Sequence, residues 1–145
     1  VAIGASGNDA NSNNNSGQVR IYSWSGSAWT PLVYIDGEAL EDVVRREARE
    51  EAGIELENIT HIIDCYTSPG ITSEHISIYC AQTDASKAGG IHGVEAEGED
   101  IKVVVMPFDE VMVALSDGRI TAGPAIIAAQ WLALNRGDIR RRGKI

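Results

Sequence analysis

Cysteine is scarce, with Cys65 and Cys80 the only two in 145 residues. Two are too few for a disulfide scaffold, and their spacing is not that of a metal-ligand pair, so reduced core thiols are expected. Long apolar runs are also missing. None approaches the length of a membrane span, and no signal peptide is visible. The chain begins at Val1 without an initiating Met, as a fragment does. Positive charge is short: 12 Lys+Arg stand against 21 Asp+Glu, for a net charge of −9. That balance argues against a nucleic-acid backbone or an anionic membrane as partner. The expectation is one cytoplasmic domain with a real core. An acidic chain can still take a phosphate-bearing substrate when metal ions bring the positive charge.

What is present in strength is carboxylate, concentrated in Leu32–Ile54, LVYIDGEALEDVVRREAREEAGI. Glu47, Glu50 and Glu51 stand at i, i+3 and i+4, which predicts a helix carrying all three on one solvent-facing side. Leu40, Val43, Val44 and Ala48 repeat with the same period and predict a buried stripe opposite. Gly53 follows the last turn, where a left-handed residue is wanted. Like charges three and four apart repel, and bound cations would offset the repulsion. Hard oxygen ligands favour Mg²⁺ or Mn²⁺. Glu47 and Glu51, one turn apart, can share such an ion. The structural alternative is a solvated acidic face.

Arg46-Glu47-Ala48-Arg49-Glu50-Glu51-Ala52-Gly53-Ile54, with Glu38 eight residues before Arg46, resembles the box of the Nudix hydrolases. One aliphatic position is the small Ala48, and the opening Gly is replaced by Leu32. Further along, Ser68-Pro69-Gly70 with Thr72, Ser73 and Glu74 resembles the ADP-ribose pyrophosphatase branch. So do Gly90-Ile91-His92-Gly93, Glu97-Gly98-Glu99-Asp100, Gly118-Arg119-Ile120 and Ala128 to Leu132. The resemblance runs from about residue 37 to 135.

That resemblance implies an α/β fold, the Nudix α/β/α sandwich with a mixed sheet. It implies Mg²⁺- or Mn²⁺-dependent hydrolysis of a nucleoside diphosphate linked to another moiety, ADP-ribose first, giving AMP and ribose 5-phosphate. It implies Glu47, Glu51, Glu99 and the carbonyl of Pro31 as metal ligands, and Glu97, Glu50 and Arg46 as catalytic-site residues. Arg46 is expected mainly to pair with a box glutamate, and Glu38 to support the site. The partner is then a small nucleotide, with a homodimer as candidate assembly. The rival expectation is a Nudix-like module that binds metal or nucleotide with little or no turnover, because the branch's N-terminal substrate-binding region has no counterpart here. Ala39 stands where a Ser or Thr would cap the helix, a loss of about 1 kcal/mol.

Read from composition alone, the segment with Glu95, Glu97, Glu99 and Asp100 is a solvated acidic loop or a loop that swings toward a metal site. A carboxylate there suits a general base better than the box glutamates, whose charge faces the ions. The resemblance assigns that base to Glu97. His61 and His75 read as structural, His92 as a turn residue, and Trp24 and Trp29 as packing residues.

Residues 1–30 form a compositionally separate segment ahead of a domain at 31–136 and a basic tail at 137–145. Val1 to Ala5, the polar stretch Ser6 to Gly17, and Val19 to Thr30 resemble one unit of FG-GAP-like β-propeller repeats. The polar stretch reads as a plain loop or disorder rather than a Ca²⁺ site. The hairpin over 18–34 is expected to stand in for the strands that usually precede the box, so the N-terminal strands are atypical or replaced. Strands are predicted at 59–66, 75–82 and 101–106, a long loop over 83–98, and helices at 108–116 and 122–135, with a frayed end beyond. Deleting residues 6–17 should leave ADP-ribose turnover within about tenfold of the intact chain, against the loss expected when a catalytic group is removed. A larger drop in a steady-state assay would mean that the stretch has been recruited to the site.

Overall fold

A computed structural model of the chain describes residues 20–24, 27–34, 40–71, 75–94, 96 and 100–142. The readings made above for residues 1–19 lie outside them, as do Glu38, Glu74, Glu95, Glu97 and Glu99.

The elements are β1 (Arg20–Trp24), β2 (Ser27–Tyr34), α1 (Leu40–Ala52), β3 (Glu57–Tyr66), β4 (His75–Thr83), β5 (Gly90–His92), β6 (Ile101–Pro107), α2 (Phe108–Ser116) and α3 (Gly123–Arg142). The strands form one sheet in the order β3-β4-β2-β1-β6-β5. It is mixed: β1 runs parallel to β6, and every other pair is antiparallel. The hairpin β1–β2 therefore fills the centre of the sheet, β2 pairing with β4 and β1 with β6.

The pleat of β4 sorts the core. Tyr79 and Ala81 face α1, in a cluster with Val44, Ala48, Ala52, Ile101 and Val103. Ile76, Ile78 and Cys80 fall into the clusters of α2 and α3, with Val111, Ala114, Ala128 and Leu132. Alternation along one strand thus supplies both halves of the interior. On α1 the inward residues are Val44, Ala48 and Ala52, four apart, and small side chains let the helix axis come close to the sheet. The edges are handled differently. β3 breaks register twice, with Asn58 at φ 46, and β5 is three residues long. A bulged edge and a very short edge both discourage further pairing.

Two expectations need correction. The stretch 83–98 is not one loop. It holds a 3-10 turn over Ala85–Lys87, where Asp84 accepts from the Ser86 amide, and then β5. A three-residue strand starting with Gly carries too little periodicity to be read. The last helix does not stop near Asn135 and fray. It continues to Arg142 because Ile139 extends its buried stripe and the Arg136 guanidinium lies 4.2 Å over the Phe108 ring.

Burial pushes the Cys80 thiol up to about 12, while Cys65 in β3 is half-buried. The unfolded chain ionises such a thiol from about pH 8.5–9, the folded chain only near its raised value, so the stabilisation is whole below the first and fades toward the second. In native protein a thiol reagent should modify Cys65 alone, with Cys80 reacting only on denaturation. Urea midpoints should fall as pH rises through 9, less so in Cys80→Ala. Rapid modification of both thiols in folded protein would contradict the packing.

Candidate active site on the glutamate helix

Helix geometry gives the three glutamates of α1 unequal places. At about 100° per residue, Glu51 lies about 60° around from Ala48, Glu47 about 100°, and Glu50 about 160°. Their exposure follows that order. Glu51 is buried at 8%, whereas the side chains of Glu47 and Glu50 are 25% and 36% exposed. The expected single solvent-facing side is thus corrected: the carboxylates run from the helix–sheet boundary to open solvent. Val43, Val44 and Ala48 are buried, as the period requires.

Arg46 joins two of the three. Its Nη2 is 2.9 Å from Glu47 Oε1 and its Nη1 is 2.9 Å from Glu50 Oε2. A half-exposed pair adds at most about 1 kcal/mol to stability, so its larger effect here is orientation. Arg49 reaches past the helix end to Glu55 at 2.8 Å. That hydrogen bond from Arg49 holds the Glu55 carboxyl below the usual carboxylate range. Thr83 donates to the Glu55 carbonyl at 2.8 Å, and Arg45 to the Leu56 carbonyl, so the exit from α1 is fixed by side chains from both sides.

Pro31 lies in β2 opposite Cys80, and α1 packs against β2, β5 and β6. The strand of the proposed carbonyl ligand and the helix of the carboxylates are therefore neighbours. Glu97 and Glu99 lie outside the described residues, while Asp100 is exposed at the entry to β6. Ser68 closes a turn by accepting from the Ile71 amide at 2.9 Å.

One set of contacts was not legible in the sequence. The Gly93 amide donates to the Glu50 carbonyl at 3.0 Å, and the His92 ring lies against Gly53. Residues some 40 apart meet there, and Gly-Ile-His-Gly reads as a turn without naming what it turns against.

The family model of the NUDIX domain matches residues 30–131. The ADP-ribose pyrophosphatase of Haemophilus influenzae is 41% identical over 108 residues, covering 74% of this chain and 50% of that protein. The ADP-ribose pyrophosphatase of Escherichia coli K12 is 42% identical over 105 residues, covering 72% and 50%. A GDP-mannose pyrophosphatase of Pectobacterium atrosepticum is 36% identical over 107 residues, covering 71% and 52%. The chain spans about half the length of the curated relatives it matches. No helix among the described residues is long and apolar enough to cross a membrane.

Among the described residues no group of three or more His, Cys, Asp or Glu converges as a metal site. The donors of α1 are nonetheless chemically suited to a hard divalent ion: carboxylates only, two of them one turn apart, with the inner one held at the sheet. A ligand that binds only the folded chain raises its stability by mass action. Millimolar Mg²⁺ should therefore raise Tm in a thermal melt, chelator should remove the gain, and Glu51→Gln should show less than half of it. Equal gains in both proteins would take Glu51 out of the metal site.

Proposed function

This chain belongs to the Nudix family, and from that membership we propose that it hydrolyses the pyrophosphate bond of a nucleoside diphosphate linked to another moiety, ADP-ribose first. The observation that carries the reading is the glutamate helix: a buried Glu51 and a half-exposed Glu47 on one stripe, with Arg46 bridging Glu47 to Glu50. The pyrophosphatase names of the relatives support the substrate class.

In this reading Glu47, Glu51, Glu99 and the Pro31 carbonyl hold Mg²⁺ or Mn²⁺. Bound there, the metal supplies positive charge against the two phosphates. Arg46 keeps the Glu47 carboxylate turned along the helix, so the ligand stripe is oriented before substrate arrives. Glu50, on the outer side of the same helix, stands at the substrate edge. Glu97 accepts a proton from the attacking water. The water oxygen forms the new bond to phosphorus, the bridging P–O bond breaks, and the products are AMP and ribose 5-phosphate. A base separate from the ligands is favoured because a carboxylate committed to a cation has lost basicity. The compartment proposed is the cytoplasm, and the assembly a homodimer.

A second reading is a Nudix-like module that binds metal and nucleotide and turns over little. ADP-ribose hydrolysis with Mg²⁺, with and without EDTA, separates the two. Under the first reading wild type releases AMP, EDTA stops it, and Glu97→Gln lowers kcat at least ~100-fold with KM little changed. Glu51→Gln instead loses apparent Mg²⁺ affinity and recovers part of its rate at high Mg²⁺. Wild-type turnover by Glu97→Gln at saturating Mg²⁺ would send the base search to Glu50, Glu95 and Glu99.

A further inference from the structure

The outward side of helices α2 and α3 carries a pattern that neither the core nor the glutamate helix uses. These two helices cover the face of the sheet opposite α1. On α2 the buried Val111 and Ala114 face the sheet, so Val113 points away from it and is 56% exposed. On α3 Leu134 lies about 200° around from the buried Leu132 and is 87% exposed. Each belongs to a stripe set by the helix period. Glu110, Val113 and Asp117 stand at i, i+3 and i+7 along α2, and Leu134, Asp138 and Arg141 at i, i+4 and i+7 along α3, with Arg142 beside them.

The two stripes carry opposite charge. Arg119 lies 3.8 Å from Glu110 and 2.9 Å from Asp117, one cation against two carboxylates, and the C-terminal end of α2 adds partial negative charge beside Asp117. Helix α3 ends on Arg140, Arg141 and Arg142, with Asp138 paired to Arg141. The helices run antiparallel: the start of α2 meets the end of α3, where Arg136 lies over Phe108, and a short connection joins the end of α2 to the start of α3. Asp117 is therefore at one end of the outward face and the arginines at the other, with Val113 and Leu134 between. Single exposed apolar side chains are common, and arginines suit a helix C-terminus. Neither fact accounts for a face whose two ends are oppositely charged about an apolar middle.

We propose that the outward face of α2 and α3 is an interface for a second copy of this chain, docked about a two-fold axis near Val113 and Leu134. The rotation turns the face end for end. Arg141 and Arg142 of each copy then meet Asp117 and the α2 C-terminus of the other, and Leu134 is covered. Arg141 lies about 10.5 Å along α3 from Leu134, so the charged ends stand clear of the apolar middle. A contact of this kind uses the same patch twice and closes at two copies. The face lies across the sheet from Glu47 and Glu51, so the interface stands or falls apart from the hydrolase reading.

The test is sedimentation equilibrium of the full chain at low and high salt, with circular dichroism to check the fold of each variant. Wild type is expected to form a dimer whose dissociation constant rises with salt, because charge pairs at its ends are screened. Leu134→Asp, and separately Arg141→Glu with Arg142→Glu, should each raise that constant about tenfold or more, since every substitution enters the contact twice. Adding Glu110→Lys and Asp117→Lys to the arginine variant reverses both ends and should bring the constant back to within about threefold of wild type. Where Asp117→Lys disturbs the turn at Arg119, Glu110→Lys alone should recover part of the loss. A wild-type chain that stays monomeric at sub-millimolar concentration overturns the proposal. So does a dimer that neither Leu134→Asp nor the arginine reversal weakens, which puts the contact on another surface. Folded reversed-charge variants that recover nothing overturn the two-fold pairing of the ends.

Discussion

Close contact between α1 and the sheet is the constraint on which the rest depends. Val44, Ala48 and Ala52 meet Tyr79, Ala81, Ile101 and Val103 with almost no exposed surface on the helix side. Two of the three helix residues are alanine, as is one of the strand residues, so the approach is set by small side chains rather than by interdigitated large ones. A larger residue at position 48, where the family pattern has an aliphatic one, would have to be relieved by moving the helix or the strand. The same closeness places Glu51 at the boundary and buries it. The place of the inner carboxylate near the strands thus follows from the packing.

Charge on α1 is managed by a division of labour. Arg46 lies between Glu47 and Glu50 and answers the repulsion on the outer face. Arg49 turns away from the acidic face toward Glu55 and steadies the chain as it leaves the helix. Both pairs are exposed enough for solvent screening to keep their energies small. Their value lies in restricting rotamers at positions where carboxylate direction matters. With the exit also held by Thr83 and Arg45, the C-terminal end of α1 is fixed by charge, by backbone hydrogen bonds and by the imidazole at Gly53.

The legible part of this fold was the part written in local period. The α1 stripe, the alternation of β4 and the Pro107 and Asp117-Gly118 boundaries of α2 depend on near neighbours, and the chain states them directly. The order of the sheet does not. Nothing local places β1 parallel to β6 at the centre, because that pairing joins segments some 80 residues apart. β5 is too short to leave a period, and the extension of α3 turns on Ile139 and Arg136 amid a basic run that reads as solvated tail. For the site, the residue types were readable and their inequality was not. Spacing at i, i+3 and i+4 says that Glu47, Glu50 and Glu51 are neighbours. It is silent on which way the sheet lies.

That inequality has a chemical consequence. Three equivalent solvent-facing carboxylates would compete for one cation and for Arg46 alike. Here the competition is resolved by angle. Glu50 is the most exposed and is paired with Arg46, and its backbone rather than its side chain faces inward, accepting from Gly93. Glu51 is buried, where any contact its carboxylate makes counts for more than at the exposed positions. Glu47 lies between the two in angle and in exposure, with Arg46 2.9 Å from its carboxylate. The spacing that makes the three glutamates neighbours therefore leaves them in three different settings, and it is the direction of the sheet that sorts them.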